Sequence, residues 1–367
     1  MLRRLSLNFH GCQVIIVLMV LGLVINGGVF AAELKADEQL MLFPTIGSRV
    51  AAGDGWLIDI HGLAFEPENR RIARLILRKA LGFDDATLSA DEKKTFAERT
   101  GYFLADNERG VDVMVRIGST DYPAGRSMAN GHFRAELTMP EKVLTPDKSL
   151  IGDREIPVSV LVRDGRKFSG TVHLLEAKGI SVISDIDDTI KVSQVLDRDE
   201  LLKNTFVRPF RPVPGMAGIY RAWATNNDAA FHYVSGSPWQ LYVPLAEFVR
   251  SNGFPAGSFH LKQFRVKDET FLDLFTKPEV YKPTVIEPLL KRFPERRFIL
   301  VGDSGERDPE IYGALARKFP GQVRRIFIRD VTNQSAESER YRLAFDGLGR
   351  ELWKIIRDPA ELPLQLP

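Results

Sequence analysis

Asp185 and Asp187 end the short apolar run Ser181-Val182-Ile183-Ser184, and Asp188 and Thr189 follow at once. In an extended segment, side chains two residues apart project to the same side, so Asp185 and Asp187 share one face. Carboxylates that close do not both ionise comfortably without a cation or a proton between them. Hard divalent ions, Mg²⁺ above all, are held by one or two carboxylates together with substrate phosphate oxygens. An aspartate can also attack phosphorus, while a second carboxyl protonates the leaving oxygen and then activates water. The D-x-D-x-T spacing alone is common by chance, so the features that follow it in the chain carry much of the weight. Ser235 comes directly after an apolar run at 229–234 and offers a hydroxyl to a phosphate oxygen. Lys282 opens an expected helix, where the local dipole gives a cation nothing and an anionic partner such as phosphate is the better reason for it. Gly302-Asp303-Ser304-Gly305-Glu306-Arg307-Asp308 adds carboxylates on a loop whose glycines permit a tight turn around an ion.

These residues need a scaffold, and the chain changes rhythm to provide one. From about 49 to 175 short alternating runs such as Val111-Asp112-Val113-Met114-Val115 are separated by turn signals such as Ala129-Asn130-Gly131. That pattern predicts a β-sandwich-like region, interrupted by one helical stretch at 71–97. From residue 179 apolar strands at 179–184, 229–234, 258–264, 297–301 and 323–328 alternate with helices at 216–224, 241–251, 282–292 and 309–319. Such alternation predicts an α/β domain with a Rossmann-like, doubly wound parallel sheet. Its polar motifs fall just past the strand C-termini, where such sheets bind ligands.

The N-terminus reads as an address. Arg3 and Arg4 precede the apolar run at 14–21, and small residues at Ala31-Ala32 come before polar sequence. This is the order of a secretory signal peptide. The run is short for a membrane span of roughly 20 residues, so cleavage near Ala31 or Ala32 is expected, with a retained anchor as the alternative. The expected divisions are a signal peptide at 1–32, a β-rich domain at 33–176 and a catalytic domain at 177–367. The destination is extracytoplasmic, periplasmic in a bacterium, with membrane association as an option. The single Cys12 lies within the leader, which leaves the mature chain without disulfide, thiol or Cys-ligated metal chemistry. A 44% hydrophobic and 27% charged composition is that of a globular protein, and a net charge of +2 gives no argument for nucleic acid. The scattered histidines His61, His132, His173, His232 and His260 lack the paired spacing of zinc ligands. Gly53-Asp54-Gly55 lacks the phosphate-loop pattern and reads as a turn.

The ordered set Asp185-x-Asp187-x-Thr189, Ser235, Lys282 and the Asp303 loop resembles the four motifs of the haloacid dehalogenase superfamily of phosphotransferases. More closely, "SDIDDTIKVSQV" (184–195), "YVSGSPWQLY" (233–242), Lys282 with Ile286, and "LVGDSGERDPEIY" (300–312) resemble the catalytic domain of the actin-patch-protein family of Mg²⁺-dependent phosphatidate phosphatases. "IHGLAFEPENRR" (60–71) and "ANGHF" (129–133) resemble the β-rich region that precedes it in bacterial members. The resemblance implies an aspartyl-phosphate mechanism with Asp185 as nucleophile and metal ligand. Asp187 becomes the general acid/base, its main-chain carbonyl also reaching the metal. It implies phosphate binding by Ser235 and Lys282, and completion of a Mg²⁺ site by Asp303 with Asp308. Glu306 competes for that last place, and Lys277 competes with Lys282. Asp188 is as readily a loop-bracing acceptor as a catalytic group, and Thr189 is expected to brace the loop through its hydroxyl.

No gap between the motifs holds a full cap domain, which suits a phosphate on something large, phosphatidate or a related phospholipid by the resemblance. Phe206, Arg208, Phe210, Arg211 and the run Phe271-Leu272-Asp273-Leu274-Phe275 are candidates for peripheral membrane contact, although aromatics at such spacing are more often core. Trp239 is expected to pack the start of its helix. A phosphatase of phosphoproteins or soluble monoesters, and a binding protein whose β-rich domain carries the main role, stay open as alternatives.

Overall fold

The computed structural model describes residues 31–50, 54–68, 70–144, 155–264 and 278–367. The leader with Arg3, Arg4 and Cys12, as well as Gly53, the run at 271–275 and Lys277, lie outside the described residues. The N-terminal part is built on strands β1 (Gln39–Leu42), β2 (Thr45–Arg49), β3 (Gly55–Glu66), β4 (Asp106–Asn107), β5 (Asp112–Ile117), β6 (Thr120–Arg126), β7 (His132–Pro140), β8 (Glu155–Val160) and β9 (Phe168–Leu175). They form one mixed sheet with the principal order β1-β3-β2-β9-β8-β5-β6, while β4 and β7 also pair with β3. The expected sandwich of two separate sheets is therefore a single hydrogen-bonded sheet. Twelve-residue β3 is long enough to pair with both β2 and β1, and β2 pairs in parallel with β9 to join the halves. Its inward residues, among them Ile58, Val115, Phe133 and Val158, form a core of their own.

The expected single helix at 71–97 is two helices, α1 (Arg71–Ala80) and α2 (Ala90–Leu104). Ser89 starts α2 with a capping box: its hydroxyl accepts the Glu92 amide proton, and the Glu92 carboxylate accepts that of Ser89. That local signal outcompetes continuation of the first helix. A one-turn helix α3 (Glu141–Leu144) follows β7.

The second sheet has six parallel strands: β10 (Ile180–Ser184), β11 (Ala230–Pro238), β12 (Ser258–Lys262), β13 (Arg297–Asp303), β14 (Val323–Arg329) and β15 (Trp353–Ile356), in the order β12-β11-β10-β13-β14-β15. Central strands are apolar on both faces because helices cover both. On one side Val182, Ile299 and Val301 pack with α4 (Arg198–Phe206), α5 (Met216–Asn227) and α6 (Tyr242–Ser251). On the other, Ile183, Phe298 and Leu300 pack with α7 (Pro278–Arg292), α8 (Asp308–Lys318) and α9 (Glu339–Ala344). Strand order departs from β10 in both directions, so the ends of β10, β11 and β13 meet at a topological switch point.

Ala31–Pro367 form one compact unit. Phe43, Leu63 and Phe65 join the core on the α5 side of the parallel sheet, and Ile46 joins the core on the other. Arg292 of α7 donates to Ser48, Asp59 and the Leu57 carbonyl, tying the parallel sheet's helix to β2 and β3. Among the described residues no helix is long and apolar enough to cross a membrane.

Candidate active site

Each motif emerges where a buried strand runs out. The Asp185 amide donates to the Val301 carbonyl, which extends the β10–β13 ladder by one residue and fixes where the first carboxylate leaves the sheet. Asp188 then turns the chain with φ at 51°. Its carboxylate accepts the amides of Ser193, Gln194 and Val195, so it serves the loop as an acceptor, one of its two expected roles. Arg329 donates to the Asp188 carbonyl at 2.7 Å. The Thr189 hydroxyl is buried with no hydrogen-bond partner among the described residues, so the expected brace is made by Asp188 instead.

Two groups of charges result. In the first, Lys282 Nζ lies 2.9 Å from Asp185 Oδ1, 2.9 Å from Glu306 Oε2 and 2.5 Å from Asp308 Oδ1. Lys282 is reached in the second turn of α7 rather than at its start, since the helix begins at Pro278. Asp303 ends β13, and its Oδ1 accepts the amides of Gly305 and Glu306. The glycines are there for closeness: a Cβ on Gly302 would stand 2.2 Å from Asp308 Oδ2, and one on Gly305 would stand 2.5 Å from Val195 and 2.9 Å from Asp303 Oδ1. Arg340 holds the loop from outside through the carbonyls of Ser304 and Glu306.

In the second group, Asp187 is surrounded by donors. Lys191 Nζ is 2.7 Å from Oδ1, as is the Ser193 hydroxyl, while Ser235 and Ser237 donate to Oδ2 at 3.0 and 3.2 Å. Burial acts to raise the Asp187 pKa, but the Lys191 ammonium and these hydrogen bonds outweigh it and hold it at about 2. Lys191, Ser193 and Ser237 had no role in the motif reading. The i, i+4 spacing of Asp187 and Lys191 marks a pair only on a helix; here a tight loop makes it.

Asp185, Asp303 and Asp308 bring carboxylate oxygens within 4.8 Å of one another, all three buried. Asp185 Oδ2 and Asp303 Oδ2 are buried without any hydrogen-bond partner among the described residues. Burial pushes both carboxyls well above the usual range; the Lys282 ammonium only partly opposes this, and neighbouring carboxylates reinforce it. Orphaned carboxylate oxygens converging in a buried place fit a hard divalent cation, which takes oxygen ligands and relieves their repulsion. Between the rivals for the last position, Asp308 belongs to this group, whereas Glu306 pairs with Lys282. The Asp187 carboxylate stands apart, engaged by Lys191 and the serines.

Other expected residues serve packing. Trp239 lies 4.2 Å from the Phe43 ring and edge-on to His61 at 4.7 Å, which seats the end of β11 on the N-terminal sheet. His61 Nε2 and His132 Nδ1 are 3.0 Å apart. Phe206 is fully buried, Phe210 lies under the Arg99 guanidinium at 3.7 Å, and Arg208 pairs with Glu200. Of the aromatics in the 196–214 insertion, Phe206 is therefore core and Phe210 packs half-buried against it.

Residues 180–330 match the family described as phosphatidate phosphatase APP1, catalytic domain. The phosphatidate phosphatase APP1 of Saccharomyces cerevisiae is 38% identical over 162 residues, 43% of this chain and 27% of the relative. An uncharacterized protein of Schizosaccharomyces pombe is 32% identical over 170 residues, 45% of this chain and 27% of the relative. The matched stretch thus spans about a quarter of the length of these curated relatives. The family match thus covers the segment that carries Asp185, Asp187, Ser235, Lys282, Asp303 and Asp308.

Proposed function

We propose that the chain is an exported, Mg²⁺-dependent phosphatidate phosphatase of the haloacid dehalogenase type, with a catalytic domain at 177–367 following a β-rich domain at 33–176. The observation that carries this reading is the unpartnered Asp185 Oδ2 beside Asp303 and Asp308, with Lys282 on the other Asp185 oxygen. Such an aspartate has one oxygen held and one free to meet phosphorus or metal. In the proposed reaction an Asp185 oxygen forms a bond to phosphorus as the bond from phosphorus to the diacylglycerol oxygen breaks. That oxygen leaves with a proton drawn from the Lys191 ammonium, 2.7 Å from Asp187, and passed on through the Asp187 carboxylate. Water then attacks the aspartyl-phosphate, its proton returns through Asp187 to Lys191, and phosphate departs with Asp185 restored. Ser235 and Lys282 bind the transferring phosphoryl oxygens. A bound Mg²⁺, held by Asp185, Asp303, Asp308 and the Asp187 carbonyl, would supply positive charge where the phosphoryl group gains negative charge.

Phosphate release is to be measured side by side from phosphatidate in mixed micelles, p-nitrophenyl phosphate and a phosphopeptide. Phosphatidate is expected to be preferred, with activity lost in EDTA, restored by Mg²⁺ and absent in Asp185→Asn. Turnover by Asp185→Asn removes that residue as nucleophile, and preference for the phosphopeptide moves the substrate to protein. The leader at 1–32 is tested by N-terminal sequencing of the exported chain, which is expected to begin near Glu33.

A further inference from the structure

Helix α1 turns an apolar stripe outward. Ile72, Leu75 and Ile76, at i, i+3 and i+4, are 76%, 53% and 65% exposed. The opposite side of the same helix is already in use: Leu77 is buried, and Ala73 packs against the core. The stripe is therefore a second apolar face, not a core face left open. The helix, Arg-Ile-Ala-Arg-Leu-Ile-Leu-Arg-Lys-Ala, contains Arg71, Arg74, Arg78 and Lys79 and no acidic residue. Arg71, Arg74 and Arg78 form a row beside the stripe at helical spacing, and Lys79 continues the stripe itself. Arg78 is paired with Asp85. Among the described residues, no ion pair engages Arg71, Arg74 or Lys79. Arg71 also stands at the first position of the helix, where the macrodipole disfavours a cation.

We propose that this face docks the protein onto an anionic phospholipid surface. Apolar side chains flanked by cations suit the boundary where acyl chains meet negative headgroups. The charge complement selects an anionic surface, and a fluid interior requires no matching shape from three projecting side chains. A stable protein interface needs about 800 Å² per partner, and the remaining large exposed apolar residues are carried singly by other elements. Placement gives the contact a use: α1 packs on α2, and α2 packs on α4 and on the turn Trp239–Leu241 that follows Ser235. The docking helix is thus joined through α2 to α4 and to the turn that follows Ser235, elements that flank the candidate active site. That use rests on the phospholipid reading above, but the contact is measured without phosphatidate.

The test is co-sedimentation of the full chain with phosphatidylcholine vesicles, alone or with about 30% phosphatidylserine. Binding is expected to the anionic vesicles and to weaken with salt. Combined Ile72→Asp, Leu75→Asp and Ile76→Asp is expected to lower partitioning roughly tenfold or more, as is Arg71→Glu with Lys79→Glu. All five positions are exposed, so both variants are expected to keep the wild-type thermal midpoint and hydrolysis of p-nitrophenyl phosphate. Vesicle binding undiminished in both variants overturns the proposal. So does a wild-type dimer that the apolar substitutions make monomeric, which would assign the face to a second copy. Failure of phosphatidate hydrolysis with vesicle binding intact overturns the substrate reading and leaves the docking face standing.

Discussion

At the scale of single residues, the candidate site is a balance of buried charges with Lys282 as its counterweight. One ammonium faces Asp185, Glu306 and Asp308, and the resulting attraction raises its own pKa well above the ordinary value despite burial. Removing one member of a buried ionic group leaves the others uncompensated, which costs about 3–5 kcal/mol. Lys282→Met is therefore expected to lose stability of that order in urea unfolding at pH 7 with EDTA present. Added Mg²⁺ should restore more stability to the variant than to the parent, since a cation then substitutes for the missing ammonium. Equal stability of the two proteins in EDTA would contradict the balance. Asp185, Glu306 and Asp308 were legible in the sequence because strand ends and glycines announce them, and Lys282 as the expected start of a helix that begins one turn earlier. Lys191 and Ser193 were not, because only the left-handed turn at Asp188 brings them around Asp187, and Ser237 reaches it from the end of β11, two residues past Ser235.

At the scale of elements, the strand and helix alternation after residue 179 was readable because each strand is apolar on two faces. The N-terminal part was less so. Period-two patterns identify strands but not partners, and nothing local reveals that β3 serves two neighbours on one edge. Nor did helical periodicity show that α1 ends and α2 begins again at the Ser89 cap, with α2 then packing on α4 of the parallel-sheet part. Arg99 of α2 donates to the carbonyls of Asn204 and Thr205 near the end of α4, where a cation also suits the helix dipole. Its guanidinium covers Phe210, whose ring also lies 4.9 Å from Lys191 Nζ. Hydrogen bonds from a charged donor contribute about 1.5–3 kcal/mol, so Arg99→Ala is expected to destabilise by that amount. It should also lower kcat on p-nitrophenyl phosphate by loosening the packing around Lys191. A variant with full activity and a wild-type unfolding midpoint would show that α2 does not support the site.

At the scale of the whole molecule, the two sheets meet through neutral histidines. His61 and His132 contact each other and crowd Phe43 and Trp239, while His232 and His260 share Ser258 at the edge of the parallel sheet. Burial, aided by the Arg134 charge, lowers the pKa of His132 and of His260 to about 4, and burial pushes His61 and His232 well below the ordinary value. Above pH 6.5 these groups are neutral in folded and unfolded chains alike. Between about 6.5 and 4 the unfolded chain binds protons that the folded chain refuses, so stability falls as pH falls. For His132 and His260, the shift to about 4 makes each worth roughly 3 kcal/mol by pH 4. The raised carboxyls of Asp185, Asp303 and Glu306 act in the opposite sense, taking up protons when folded and offsetting part of the loss. His132→Asn separates the two contributions, because it keeps a polar side chain at the seam and removes one proton-binding site. Its unfolding free energy is expected to fall less steeply than the parent's between pH 6.5 and 4 while the carboxylate contribution stays the same. Parallel pH profiles for the two proteins would mean that the seam does not exclude protons and that acid sensitivity arises elsewhere in the chain.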